Sequence, residues 1–137
     1  MFNKSHLVGI LVGLANCDIR VESNYRSTLG YDVKPRIHIR GSLDFLKEIE
    51  RSLLQHEITC SIKEKESKAR NKPVLIIRRI MHLQRLCNMI EESLGRRDFT
   101  DARNQWHEFR LVIELIKNKK HLTLEGLEQI LEIKGLI

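Results

Sequence analysis

Aromatic residues are scarce, at 5% of the 137-residue chain: one Trp, two Tyr and four Phe. A surface that stacks successive unpaired bases needs exposed rings, so the scarcity argues against a single-strand stacking platform. Cysteine is equally sparse. Cys17, Cys60 and Cys87 form no C-x-x-C pair, which argues against a disulfide framework and fits free thiols in a reducing compartment. The six histidines show no H-x3-H spacing, so each reads as a surface or half-buried side chain and not as a zinc ligand. Long apolar runs are missing too. The stretch Leu7–Ala15 is too short to span a bilayer and has no cleavage site. The expectation is an intracellular, cytoplasmic protein with no membrane partner.

Hydrophobic residues make up 42% of the chain, enough for a real core in a single domain over residues 1–137. Lys and Arg number 24 against 18 Asp and Glu, a net charge of +6. That balance favours a polyanionic partner or an anionic membrane surface, provided the cations share a face.

The run from about His6 to Asn16 is apolar nearly all round and reads as a helix buried on most sides. Gly9 and Gly13 lie four apart, on one face. Each costs about 1 kcal/mol relative to alanine in a helix, so the pair is expected to serve a close helix–helix approach. The period then changes. In "DIRVESNYR", Ile19, Val21 and Tyr25 fall on one side, with Asp18, Arg20, Glu22, Asn24 and Arg26 on the other. "STLG" turns the chain. In "YDVKPRIHIRG", Val33, Pro35, Ile37 and Ile39 alternate with Lys34, Arg36, His38 and Arg40. Both segments read as strands with one buried face, and Pro35 places the second near an edge.

Ser42 is a suitable N-cap for a helix with Leu46, Ile49 and Leu53 at helical spacing. Residues 58–65 alternate again, with Ile58, Cys60 and Ile62 inward. "EKESKARNKP" is a charged hairpin loop and "VLIIRR" a fourth strand. Leu83, Leu86, Cys87 and Ile90 mark a helix over 80–94, and Gly95 turns the chain. Ala102, Trp106, Phe109, Ile113 and Ile116 mark a longer helix over about 99–118, and "LEGLEQILEIK" a short one after the break "KNKKHLT". The order is α-β-β-α-β-β-α plus C-terminal helices, an α+β layered fold with helices on one face of a four-stranded sheet.

The other face is then polar and basic. Lys34, Arg36, His38 and Arg40 occupy four successive outward positions, Arg20, Asn24 and Arg26 join from the first strand, and Lys63, Lys65, Lys68, Arg70 and Lys72 from the second hairpin. Such cations suit phosphates and major-groove base edges, and Glu22 and Asn24 are also capable of base contacts. Duplex DNA binding is the expectation; an ordinary solvated sheet face is the plainer alternative.

"LVGLANCDI" at 11–19 resembles the LAGLIDADG motif of the homing endonucleases position for position: Leu11, Gly13, Leu14 and Asp18 match, while Val12, Ala15 and Cys17 are modest replacements. Asn16 stands for the motif's first aspartate and Ile19 for its last glycine. The element order is that of the family. "YDVKPRIHIRGSLDFL" resembles its second strand entering the next helix, and "KKHLTLEGLEQILEIKGL" the tail of its archaeal members. The resemblance covers most of the chain. It implies a saddle-shaped sheet on duplex DNA and, with one motif and no internal repeat, a homodimer seamed at Gly9, Val12, Gly13 and Asn16.

It also implies that Asp18 is the catalytic residue and ligand of a divalent cation such as Mg2+, which takes oxygen donors, and that no small-molecule cofactor is needed. Several positions depart from the family pattern. Ile19 is expected to crowd the site and Cys17 to splay the seam. Ala102, with Arg103 beside it, stands where active members often carry lysine, and Gly41 replaces a polar residue that positions water. Three functions follow for test: a metal-dependent DNA endonuclease, a DNA-binding regulator or intron-splicing helper that has lost cleavage, and an interaction protein whose basic face meets an acidic surface.

Overall fold

Asn3 starts the first helix by accepting a hydrogen bond from the His6 N–H at 2.8 Å. The computed structural model describes residues 1–100 and 105–137. Helix α1 (Lys4–Leu14) runs into strand β1 (Asn16–Ser23), then β2 (Tyr31–Arg40), α2 (Leu43–Leu54), β3 (Ser61–Lys63), β4 (Val74–Ile77) and α3 (Ile80–Leu94). A single turn α4 (Arg96–Phe99), α5 (Gln105–Lys117), a 3-10 turn at Lys120–Leu122 and α6 (Leu124–Lys134) follow. The α+β order expected from the sequence is present.

Helix α1 is not buried on most sides. Leu7, Val8 and Leu11 enter the core, while Gly9, Val12, Gly13 and Leu14 are exposed. The helix stops at Leu14, and Asn16 already belongs to β1. The sheet is antiparallel throughout, in the order β1-β2-β4-β3. β4 pairs only with Ile37–Arg40 of β2, so Pro35 lies where β2 has a neighbour on one side alone, and its missing N–H is tolerated there.

One side of the sheet builds the core. Ile37, Ile39, Leu75 and Ile77 meet Leu7 and Leu11 of α1, Leu46, Ile49 and Leu53 of α2, Leu83, Leu86 and Ile90 of α3, and Trp106 and Phe109 of α5. Each large apolar side chain buried in this way contributes about 1.5–3 kcal/mol. Trp106 and Phe109 pack edge to face, with ring centroids 6.5 Å apart. Ser42 caps α2 by accepting from the Phe45 N–H at 3.3 Å. The buried Ser52 hydroxyl accepts from the Phe2 N–H at 2.8 Å and donates to the Glu48 carbonyl at 2.9 Å, tying the N-terminus to α2.

Three details differ from the sequence reading. β3 spans only Ser61–Lys63, although Ile58, Cys60 and Ile62 do turn inward. Of the helix expected over 99–118, Phe99 belongs instead to the turn α4, which begins beyond Gly95 (φ +84°), and α5 supplies Gln105–Lys117, with 101–104 outside the described residues. Tyr25 is 88% exposed, because β1 ends at Ser23 and the chain turns before Tyr25 can face the core.

At the start of α6, the Thr123 hydroxyl accepts from the Gly126 N–H at 3.1 Å. A Cβ at Gly126 would collide with the Lys120 carbonyl oxygen. Gly126→Ala should therefore destabilise the chain by about 1–3 kcal/mol, read as a lowered urea midpoint. An unchanged midpoint contradicts this packing.

Candidate functional site

The strand register decides which side chains share the helix-free face. Asp18 lies opposite Arg36, Arg20 opposite Lys34, and Asn16 opposite His38. His38 lies opposite Ile76 and Arg40 opposite Val74, with Ser61 and Lys63 next in the same rows. The expected surface is there, but it is internally paired. Arg36 Nε donates to Asp18 Oδ2 at 3.2 Å. Glu22 receives Lys34 Nζ at 2.9 Å and Arg20 Nε at 3.2 Å. The Lys34 hydrogen bond, above all, holds its carboxyl below the usual carboxylate range. Glu66, from the hairpin loop, accepts from Arg40 Nε at 2.7 Å and Nη2 at 2.9 Å, with Arg70 at 3.8 Å. The one-bond pairs at Asp18 and Glu22 are weak and screened by solvent, so their cations can exchange a carboxylate for a phosphate at little cost.

Two expected contact residues sit differently. His38 is only 7% exposed, where an outward, solvated position was expected. Alternation set its side of the sheet, but the rows on both flanks cover it. Asn24 is committed to its own loop. Its amide donates to Asp32 Oδ2 at 2.7 Å, and its carbonyl accepts the Arg26 N–H at 3.0 Å. Ser27 also donates to Asp32, and the loop closes with the Asn24 N–H on the Gly30 carbonyl at 2.8 Å. Asn24 shapes the turn, with one amide proton and its carbonyl already engaged. Arg26, Lys63, Lys65, Lys68, Arg70 and Lys72 are exposed, and the Arg26 guanidinium lies 5.6 Å above the Tyr25 ring centroid.

The face is not uniformly polar. Val74 and Ile76 are buried on this side, outside the core cluster, an apolar strip of the kind that long cation stems cover. Arg78, two residues beyond Ile76, reaches Ser61 Oγ at 3.5 Å. With Arg20, Lys34 and Arg36 it lines a cleft of about 360 Å³. Continuing the alternation of "VLIIRR" by one step would have put Arg78 among the contact residues.

Four residues beyond the end of α1, Asp18 is half-buried on β1, while Gly9, Val12, Gly13 and Asn16 are exposed. A Cβ at Gly9 or Gly13 meets nothing within 4 Å. Among the described residues, these glycines therefore serve no close approach, and that face is open.

No protein-family model and no curated relative matches the chain. Solved structures do. The LAGLIDADG meganuclease I-CpaMI, bound to uncleaved DNA, superposes with a TM-score of 0.79 over 98% of this chain and 45% of its own, at 22% identity. I-SmaMI, bound to an uncleaved DNA target with calcium ions, gives 0.81 over 98% and 44%, at 22% identity. The homing endonuclease I-TnaI gives 0.76 over 96% and 85%, at 23% identity. The chain has the LAGLIDADG homing endonuclease fold. It spans under half the length of the first two.

Within the LAGLIDADG fold, two of the motif's departures turn towards the core. Ile19 and Cys17 alternate with Asp18 and pack against the core cluster, so neither side chain projects onto the polar face. Burial, the leading cause, with Cys87 nearby, pushes the Cys17 thiol far up. Gly41 is hemmed in by Phe45, whose ring would lie 3.0 Å from an added Cβ; a larger residue there needs the ring to move. Ala102 and Arg103 lie outside the described residues.

Sequence reasoning missed the supports of the motif end. The Cys17 N–H donates to Gln105 Oε1 at 3.1 Å, and Gln105 Nε2 donates to the Ala15 carbonyl at 3.1 Å. Lys134 donates to the Ile19 carbonyl on the outer edge of β1, satisfying one group of an edge strand. No local pattern signals contacts across such sequence distances. Among the described residues, no group of three or more His, Cys, Asp or Glu is placed to hold a metal. Asp18 brings one carboxylate per chain, a hard oxygen donor of the right chemistry but an incomplete ligand set. No helix among the described residues is long and apolar enough to cross a membrane.

Burial lowers the pKa of His38 from its ordinary 6.5, helped by Arg36 and Arg40 and opposed by Asp18 and Glu66. The unfolded chain therefore takes up this proton at higher pH than the folded one. His38 favours the folded state fully above the ordinary value and less as pH falls through it. NMR titration should place the His38 midpoint below that of an unstructured histidine; a midpoint at or above it contradicts the buried position.

Proposed function

We propose that the chain binds duplex DNA on the polar sheet face as a homodimer seamed along α1, and cleaves it at specific sites with a divalent cation held between two copies of Asp18. The observation that carries this reading is the position of Asp18. It lies on β1 four residues beyond the end of α1, whose glycine-bearing side is open among the described residues, and it shares the cationic sheet face. A second copy packed along Gly9, Val12 and Gly13 covers the apolar strip and brings a second carboxylate to the first. The sizes of the similar structures support this, since I-CpaMI and I-SmaMI are each more than twice the length that this chain matches. I-TnaI is close to one unit, with 85% of its chain covered. An intracellular location goes with such a substrate.

Asp18 and its symmetry mate would hold Mg2+, which supplies charge stabilisation at the scissile phosphate. Lys34 and Arg36 position the duplex through its backbone. Arg36 also orients the carboxylate, through its hydrogen bond to Asp18 Oδ2. The same contact favours a second reading, in which the ion pair has taken the place of the metal and the protein is a DNA-binding regulator or splicing helper without cleavage.

Asp18→Asn removes the charge that holds Mg2+ and costs only an exposed ion pair. It should abolish Mg2+-dependent nicking of a plasmid library while gel-shift binding persists. Persistent nicking by the variant overturns the assigned metal ligand, and binding without nicking by the wild type establishes the second reading.

Gly13→Leu adds bulk where nothing among the described residues lies within 4 Å. Sedimentation should show the folded variant shifted from dimer to monomer. An unaltered dimer would sink the α1 seam.

A further inference from the structure

We propose that Arg40 reads a guanine in the major groove of duplex DNA, with Glu66 as the positioning residue that aims it; the inference rests on the DNA-binding reading above. Of the cations on the sheet face, Arg40 has the carboxylate pairing that fixes a guanidinium plane. Glu66 takes Nε–H at 2.7 Å and one Nη2 proton at 2.9 Å, a side-on, two-bond grip. An arginine has five N–H donors. This grip uses two along one edge and leaves the end edge free, with one outward donor on Nη1 and one on Nη2. Those two parallel donors match the O6 and N7 acceptors of guanine, the pairing by which arginine distinguishes that base.

The other cations lack this arrangement. Arg36 meets Asp18, and Arg20 meets Glu22, through Nε alone. Lys34 is a point charge on Glu22, suited to phosphate rather than to a planar pair of acceptors.

Glu66 is itself held. Its side chain is 20% exposed, against 36% for Arg40. Its backbone N–H donates to the Lys72 carbonyl at 3.0 Å, and Arg70 approaches from the loop at 3.8 Å. Arg40 ends β2 and is paired in register with Val74 of β4, which pairs in turn with Lys63 of β3, so the fork stands against a strand braced on its far side. Its rotamer entropy is lost before DNA arrives, which favours geometric discrimination over general attraction. A carboxylate this close also repels phosphate, so Glu66 works against sequence-independent binding and for base choice.

The test is enrichment of a randomised duplex library by the full chain, followed by competition at fixed salt. The wild type should enrich sites with a guanine at one fixed position in each half-site. Arg40→Ala and the charge-preserving Arg40→Lys should both lose preference at that position alone, with affinity for the enriched site falling about tenfold to a hundredfold. Glu66→Gln should broaden the same position while affinity for random duplex stays equal or rises, a pattern that loss of fold would not give. Two outcomes overturn the inference while leaving DNA binding intact: Arg40→Lys enriching the wild-type sites, or Glu66→Gln keeping full guanine preference. If the wild type enriches no sequence and shows no salt-dependent duplex binding, both the inference and the DNA reading fail.

Discussion

The register of β1 against β2 sets almost every relationship in this molecule. With Asp18 opposite Arg36, the helix-free face receives Asn16, Asp18, Arg20 and Glu22 from one strand, and Lys34, Arg36, His38 and Arg40 from the next. A slip of one residue would send all of these into the core and push Ile19, Ile37 and Ile39 into water. Exposing such residues costs about 1.5–3 kcal/mol each, which rules the slipped register out. The position of Asp18 at the mouth of the polar face, and the pairing of Arg40 on β4, are consequences of the same constraint.

That face carries less free positive charge than the chain's net +6 implies. Asp18, Glu22 and Glu66 each hold one or two of its cations. The arrangement keeps long side chains extended over the sheet and lowers the general pull on any polyanion. The cations then differ in geometry: a point charge at Lys34, a gripped fork at Arg40, and exposed loop cations at Lys65 and Lys68.

Helix α1 divides its duties in a similar way. Leu7, Val8 and Leu11 anchor it to the core, and Gly9, Val12 and Gly13 leave a shallow apolar strip outward. Gln105 and Lys134 brace the chain where the helix becomes β1, through hydrogen bonds to Ala15, Cys17 and Ile19. The backbone on either side of Asp18 is thereby supported by α5 and α6, elements far away in sequence.

Local periodicity determined a good deal by itself. The existence of a switch from period 3.6 to period 2 ahead of Asp18, the inward set Ile37 and Ile39, the Ser42 cap and the side of the sheet that bears Asp18 all follow from neighbours within a few residues, where sterics and hydrophobic patterning act. What lay beyond that range was decided only by tertiary structure. The strand order β1-β2-β4-β3, the burial of His38 between two rows, the capture of Asn24 by Asp32, the grip of Glu66 on Arg40 and the open side of α1 each depend on which distant segment arrives as a neighbour. A repeating pattern of apolar residues says that a face will be covered. It carries no information on what covers it, because the hydrophobic effect is proportional to area and indifferent to partner, whereas the hydrogen bonds that aim a functional side chain are directional and made across the fold.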